Sequence, residues 1–478
     1  MSEFTLTIAG QPAPTLGSFE VINPATGKPF ASCPDATREQ VETALEAAQQ
    51  AFGSWRRDLA TRRSALLACA EALQAAAPAI GEVLTREQGK PLPAAISEVM
   101  GAAAWFRISA GLPLETEVLQ DDAAQRIELH RKPLGVVAAI TPWNFPIILA
   151  SWKIAPALLA GNTLVLKPSP YTPLSSLEMG RVLREALPPG VFSVLSGGDE
   201  LGGWICEHPL VRKISFTGSV ATGKKIQAAA APDLKRVTLE LGGNDPAIVL
   251  ADANPKAVAR KVFEAAFANS GQVCVAIKRL YVEEPIYRTV LDEVAELART
   301  AKVGDGLEPG VEYGPINNAP QLERVRELVD DARAAGARVV AGGAPLPREG
   351  YFYAPTVVTD VAEGVRLVDE EQFGPALPVM PFRDVDEALE RANASHFGLG
   401  GSVWTADPQR GAELAGRLEC GTGWVNQHLN LVPNAPFGGS KWSGIGYENG
   451  PWGLAAFTEL QVIQIAKGSG GEEAGRDG

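Results

Sequence analysis

Cysteine is scarce in this 478-residue chain: five residues, Cys33, Cys69, Cys206, Cys274 and Cys420, widely scattered and never in CxxC spacing. An odd, dispersed set excludes a disulfide framework and a thiolate zinc site, and it fits a reducing cytoplasm. Histidine is scarcer still. The four residues, His130, His208, His396 and His428, lack metal-ligand spacing, so no metal is expected. Basic charge is in deficit, with 43 Lys and Arg against 56 Asp and Glu, a net charge of −13 and no long basic run. Nucleic acid and an anionic membrane surface are therefore poor partners. The opening MSEFTLTIAG lacks a basic stretch followed by an apolar core, so no secretory signal is read there.

Long charge-free runs are also nearly missing. The exception is LGVVAAITPWNFPIILASW, residues 134–152, which by length alone could cross a bilayer. Two prolines, Asn144 and Thr141 sit in its middle and would break a spanning helix. The segment reads instead as a buried strand, a tight loop and the start of a helix.

What the chain does have is apolar material, 46% of its residues, enough for a large core spread over two or three domains. Residues 36–110 carry Ala, Leu, Glu, Gln and Arg at helical spacing, with QGKP as a stop signal. From 134 to 240 the pattern changes to short β-rich runs (LGVVAAI, TLVLK, VFSVL, KISF, RVTLE), each separated by room for a helix. Such alternation builds an α/β fold around a parallel sheet. A second series begins after GGNDPAIVL, which places a domain boundary at 242–246. The tail GSGGEEAGRDG, residues 468–478, has nothing to bury and is expected to be disordered.

Four stretches can carry chemistry. NSGQVCVA sets Cys274 behind a polar turn, where it is either a buried filler or a nucleophile, and a lone cysteine is more often filler. VTLELGGND puts Glu240 at a strand end, as a paired structural acid or as a general base raised by desolvation. TPWNFP offers Asn144 as a rigidly held donor or as a plain turn residue. In KISFTGSVATGKK a strand ends near Phe216 and a helix begins near Ser219, with Gly218 and Gly223 flanking the turn. That arrangement suits a phosphate at a helix N-terminus, although a simple connection has the same letters.

Taken in order, TPWNFP, KPSP, FTGSVATG, LELGG, GQVC, EEQFGP and APFGGSKWSGIG resemble the aldehyde dehydrogenase superfamily, over about residues 20–467. The resemblance implies two Rossmann-like α/β domains plus a small β oligomerisation arm. The dinucleotide-binding domain would take 1–118 and 135–244, the catalytic domain 245–452, and the arm 119–134 and 453–467. It implies NAD(P)-dependent, non-acylating oxidation of an aliphatic or aromatic aldehyde by a homodimer or homotetramer. Cys274 would be the nucleophile with a lowered thiol pKa, Asn144 the oxyanion donor, Glu240 the base, and Lys153 a residue that tunes it. Ile140, Trp143, Lys167, Ser169, Gly198, Gly218, Ser219, Glu371 and Phe373 would bind NAD or NADP. Phe145, Leu149, Trp152, Phe267 and Leu431 would line the substrate entrance.

Pro170 stands where many NAD-preferring members carry an acid, and Asn244 where many read LELGGK. With no carboxylate in KPSP beside Lys167, NAD and NADP are expected to work within roughly tenfold of one another. Two other readings are a catalytically silent binding member of the fold and a coenzyme A-acylating enzyme. Relatives of the latter usually lack the base, so Glu240 speaks against it.

Overall fold

The structure, a computed structural model, describes residues 4–467. The tail expected to be disordered, residues 468–478, lies outside the described residues.

Two sheets dominate. In the first, the strands run in the order Gln11–Ala13, Leu6–Ile8, Phe192–Val194, Thr163–Lys167, Val136–Ile140, Val211–Thr217, Arg236–Glu240 and Gly444–Ile445. Its central five strands are parallel, and its edges are antiparallel. The second sheet runs Arg338–Ala341, Thr356–Thr359, Ala376–Phe382, Ile277–Glu283, Asp245–Val249, Gly400–Trp404 and Thr422–Val425, parallel except at Arg338–Ala341. A smaller antiparallel sheet joins Glu117–Asp121, Gln125–Pro133 and Thr458–Ala466.

The charge-free run resolves as its prolines require. Val136–Ile140 is a strand buried at every residue, as a strand covered on both faces should be. A loop follows, and Pro146 opens the helix Pro146–Ala160 in the first turn, where its missing N–H breaks no helical bond.

The helical opening forms three helices, Arg38–Trp55, Leu59–Gln88 and Leu92–Ala110. Thr37 and Gln40 cap the first reciprocally. The second ends where Gly89 takes a left-handed φ of 102°, within the QGKP stop. By length and composition Leu59–Gln88 could also cross a membrane, but Leu66, Leu73, Ile80 and Leu84 are buried in the core of the first sheet.

Two of these connections place the site. Glu240 is the last residue of its strand and pairs with Gly444 from the far end of the chain. A Cβ on Gly444 would lie 2.0 Å from the Leu239 carbonyl oxygen, and its φ is 149°, so glycine is required there. Across from it, Cys274 sits just before the strand Ile277–Glu283 of the second sheet.

Candidate active site

The helix Pro255–Phe267 stops at a turn in which Asn269 (φ 48°) and Ser270 (φ 57°) are both left-handed. Backbone of this kind persists only where its surroundings hold it. Gln272 does so, accepting from the Asn317 N–H at 2.8 Å and donating to the Asn269 carbonyl at 2.8 Å. The turn delivers Cys274, half-buried, into a cleft of about 680 Å³ that Asn144 and Glu240 also line. Cys33, Cys69 and Cys206 are buried, whereas Cys274 reaches a cavity.

Glu240 is buried, and neither carboxyl oxygen has a hydrogen-bond partner. Burial first, then the charge of Glu448, push its carboxyl up to about 8, while Lys153 and the Cys274 thiol pull the other way. A carboxyl near neutrality can take a proton and return it. Lys153 itself donates to Thr217 at 2.8 Å and is ion-paired with Glu448, so it acts on Glu240 from across a buried charge pair.

The thiol departs from the sequence expectation. Burial, and then the facing Glu240, raise the Cys274 pKa well above its ordinary value, with Lys278 opposing. The lowered value expected for a nucleophile is absent because burial strips the thiolate of water and the charge of Glu240 opposes it.

Asn144 projects from a loop bracketed by Pro142 and Pro146. Its side-chain Nδ2 donates to the Gln272 carbonyl at 3.0 Å, which leaves its second hydrogen free for a ligand.

Trp143, Gly218, Ser219, Glu371 and Phe373 line the same cleft. Ser219 caps the helix Val220–Ala230 through the Thr222 N–H, and the Gly218 N–H bonds the Glu240 carbonyl at 3.0 Å. Glu371 accepts from the Gly243 N–H at 3.0 Å and pairs with Lys278 at 3.0 Å. A Cβ on Gly242 would lie 2.1 Å from a Glu371 oxygen, so that glycine makes room for the acid. A roomy cleft, a glycine turn at a helix N-terminus and a ribose-type carboxylate suit a nicotinamide dinucleotide.

Ile140, Lys167, Ser169 and Gly198 lie outside that cleft, at the carboxyl ends of the first sheet's strands and the turns that follow them. Burial brings the Lys167 pKa down to about 8, and Asp199 and Asp35 act on it from other elements. Asp35 Oδ1 sits 2.9 Å from where a Cβ on Gly197 would be, beside Gly198. Two acids distant in sequence from KPSP therefore act on Lys167.

Leu149, Trp152, Phe145 and Leu431 pack with Trp105, Trp424, Phe437 and Cys274 in one aromatic cluster. Trp152 stacks on Trp105 with ring centres 5.7 Å apart and meets Phe437 edge-on at 5.5 Å. Phe267 does not join them. As the last residue of its helix it turns into the core of the second sheet against Phe263, and Ala268 packs on the cluster around Cys274 instead. His428 shares a 2.7 Å hydrogen bond with the carbonyl of Val275, the residue after Cys274.

Sequence reasoning missed Lys278, Gln321 and Arg324. Lys278 donates to the Cys274 carbonyl at 2.5 Å. Gln321 and Arg324, on the helix Ala319–Ala334, bond the backbone of Gln372, Phe373 and Glu371 and so hold the EEQFGP loop, in which Phe373 has a φ of 47°. Their only signal was an i, i+3 polar pair, which reads as a solvated helix face.

Comparison with known proteins agrees with this geometry. The sequence profile of the Aldehyde dehydrogenase family matches residues 12–463. Phenylacetaldehyde dehydrogenase of Pseudomonas fluorescens is 40% identical over 465 residues, covering 94% of this chain and 93% of that protein. Human Retinaldehyde dehydrogenase 3 is 38% identical over 464 residues, covering 93% and 91%. The NAD+ complex of aldehyde dehydrogenase from Bacillus cereus superposes with a TM-score of 0.95 at 35% identity, covering 97% and 96%. With the match running nearly end to end and the cysteine, asparagine and glutamate converging on one cleft, this chain belongs to the aldehyde dehydrogenase family.

Proposed function

We propose that the enzyme oxidises apolar, preferentially aromatic aldehydes to carboxylic acids with a nicotinamide cofactor, through a thioester on Cys274. The carrying observation is that Cys274, Glu240 and Asn144 line one cleft and that Cys274 also packs on a cluster holding Phe145, Trp105, Trp152, Trp424 and Phe437. The phenylacetaldehyde activity in the name of the Pseudomonas relative supports the same substrate class.

In this reading the Cys274 thiol gives up its proton to solvent in the cleft, and the freed thiolate attacks the aldehyde carbon. Asn144 Nδ2 stabilises the oxyanion that forms. The bound nicotinamide supplies the hydride acceptor, and Trp143, Ser219, Glu371 and Phe373 would hold it. Ionised Glu240 then deprotonates the water that hydrolyses the thioester and passes that proton to the departing Cys274 sulfur, and the acid leaves.

Asn144→Ala should lower turnover about 10²–10³-fold, the usual loss of one oxyanion donor, with cofactor affinity unchanged. Steady-state kinetics beside a cofactor titration checks this. A loss below tenfold removes Asn144 from the role.

The two acids near Lys167 set a second expectation. Both NAD and NADP should be accepted, but NAD should be favoured by about tenfold in kcat/KM, because a 2′-phosphate meets Asp199 and Asp35 as well as Lys167. Asp199→Asn should narrow the gap several-fold. Equal use of the two cofactors by the wild type would show that these acids do not reach the ribose.

We further propose that the antiparallel sheet of Glu117–Asp121, Gln125–Pro133 and Thr458–Ala466 is an oligomerisation arm. Its exposed Val118, Leu119, Leu460, Val462 and Ile465 support a homodimer or homotetramer. Five free thiols support a reducing cytoplasmic setting.

A further inference from the structure

The QGKP turn does more than end a helix. Lys90 and Glu98 form a buried ion pair at 2.6 Å, each side chain no more than 3% exposed. The Lys90 ammonium also donates to the Asn144 backbone carbonyl at 2.8 Å and lies 3.8 Å from the centre of the Phe145 ring. Glu98 uses its other oxygen to accept from the N–H groups of Ile147 and Ile148, at 3.0 and 3.2 Å, in the first turn of the helix that follows. One ion pair therefore grips both ends of the Asn144–Phe145 loop.

The turn carrying Lys90 is itself seated. A Cβ on Gly314 would lie 2.0 Å from the Gly89 carbonyl oxygen, and one on Gly306 would lie 2.4 Å from that of Lys90. Two glycines of the second half of the chain thus let its backbone close down on QGKP. On the other side, Asn269, from the turn that presents Cys274, donates to the same Asn144 carbonyl at 3.1 Å.

We infer that Lys90 and Glu98 are positioning residues for the oxyanion donor: they fix the Asn144 backbone, and through it the direction of the side-chain amide, without touching substrate. A buried charge pair is rarely the best way to fill a core, since apolar residues of the same shape are often at least as stable. Its value here is directional. Ammonium and carboxylate hold the loop by three hydrogen bonds that an apolar filling cannot make, and a misplacement of about 1 Å is enough to cost a reaction severely. The inference rests on the assignment of Asn144 as oxyanion donor.

Lys90→Met alone strands a buried carboxylate and threatens the fold, so the test uses Lys90→Met with Glu98→Gln. That pair removes both charges and keeps an acceptor for the Ile147 and Ile148 N–H groups. Three quantities are read on the full-length enzyme, with phenylacetaldehyde as substrate: the burst rate of NADH formation, the rate of Cys274 alkylation by iodoacetamide, and the burst rate in an Asn144→Ala background. The expected result is a burst about tenfold slower, alkylation within about twofold of wild type, and almost no further loss in the Asn144→Ala background. Alkylation needs no oxyanion donor, so general damage to the site would slow it in parallel. An unchanged burst, a parallel fall in alkylation, or an equal loss in both backgrounds would overturn the inference while leaving Asn144 in its role. If Asn144→Ala alone costs less than tenfold, the oxyanion assignment falls and this inference with it.

Discussion

Cys274→Ala is expected to abolish aldehyde oxidation while the protein stays folded and still binds cofactor. The loss should be complete to the limit of detection, because every later step needs a carbon–sulfur bond that alanine cannot form. The fold should survive: the side chain is small, half-buried and beside a cavity, so removing its sulfur opens little new void. The other four cysteines cannot substitute. Cys33, Cys69 and Cys206 are buried in the core of the first sheet, with thiols that burial raises to about 12, 12 and 11, and Cys420 is raised to about 12 outside the cleft. Product assay of the folded variant checks this, with circular dichroism and cofactor titration as controls. More than a trace of residual oxidation would move the nucleophile elsewhere.

Glu240→Gln is expected to stop the enzyme at a different point. An amide cannot deprotonate water, so a rapid burst of NADH of about one equivalent per site should be followed by a stall. Absence of a burst would mean that Glu240 is needed already to take the Cys274 proton. The raised carboxyl pKa fixes the pH dependence. The base must be ionised, so thioester hydrolysis in the wild type should accelerate as pH rises through about 8, and Glu240→Gln should lose that rising limb. Stability runs the other way. A carboxyl whose folded pKa is raised binds its proton more tightly when folded, so its contribution is present below the usual carboxylate range and is lost as pH rises through about 8.

Much of this was legible in the sequence, for physical reasons that can be named. Prolines inside 134–152 forced strand, loop and helix, and Gly89 ended its helix because the left-handed position demands it. Cys274, Glu240 and Asn144 were not readable singly; the order of the motifs around them made them so. What stayed hidden depends on contacts between distant segments. Gly444 beside Glu240, Lys278 and Glu371 beside Cys274, and Asp35 and Asp199 beside Lys167 come together only when the sheets form. Phe267 joins the core of the second sheet and Ala268 the cluster around Cys274, because the left-handed pair Asn269 and Ser270 turns the chain in a way helical periodicity cannot foretell. The thiol pKa moved opposite to expectation because the sulfur is buried and faces Glu240.

The central claim is that an aldehyde becomes a thioester on Cys274 and that Glu240 removes it. Glu240→Gln enzyme mixed with NAD and phenylacetaldehyde, quenched after the burst, digested and mapped by mass spectrometry tests that claim most directly. The account predicts a phenylacetyl adduct on the peptide containing Cys274, in about the same amount as the NADH formed. NADH produced with no adduct, or with the adduct on another residue, would contradict it.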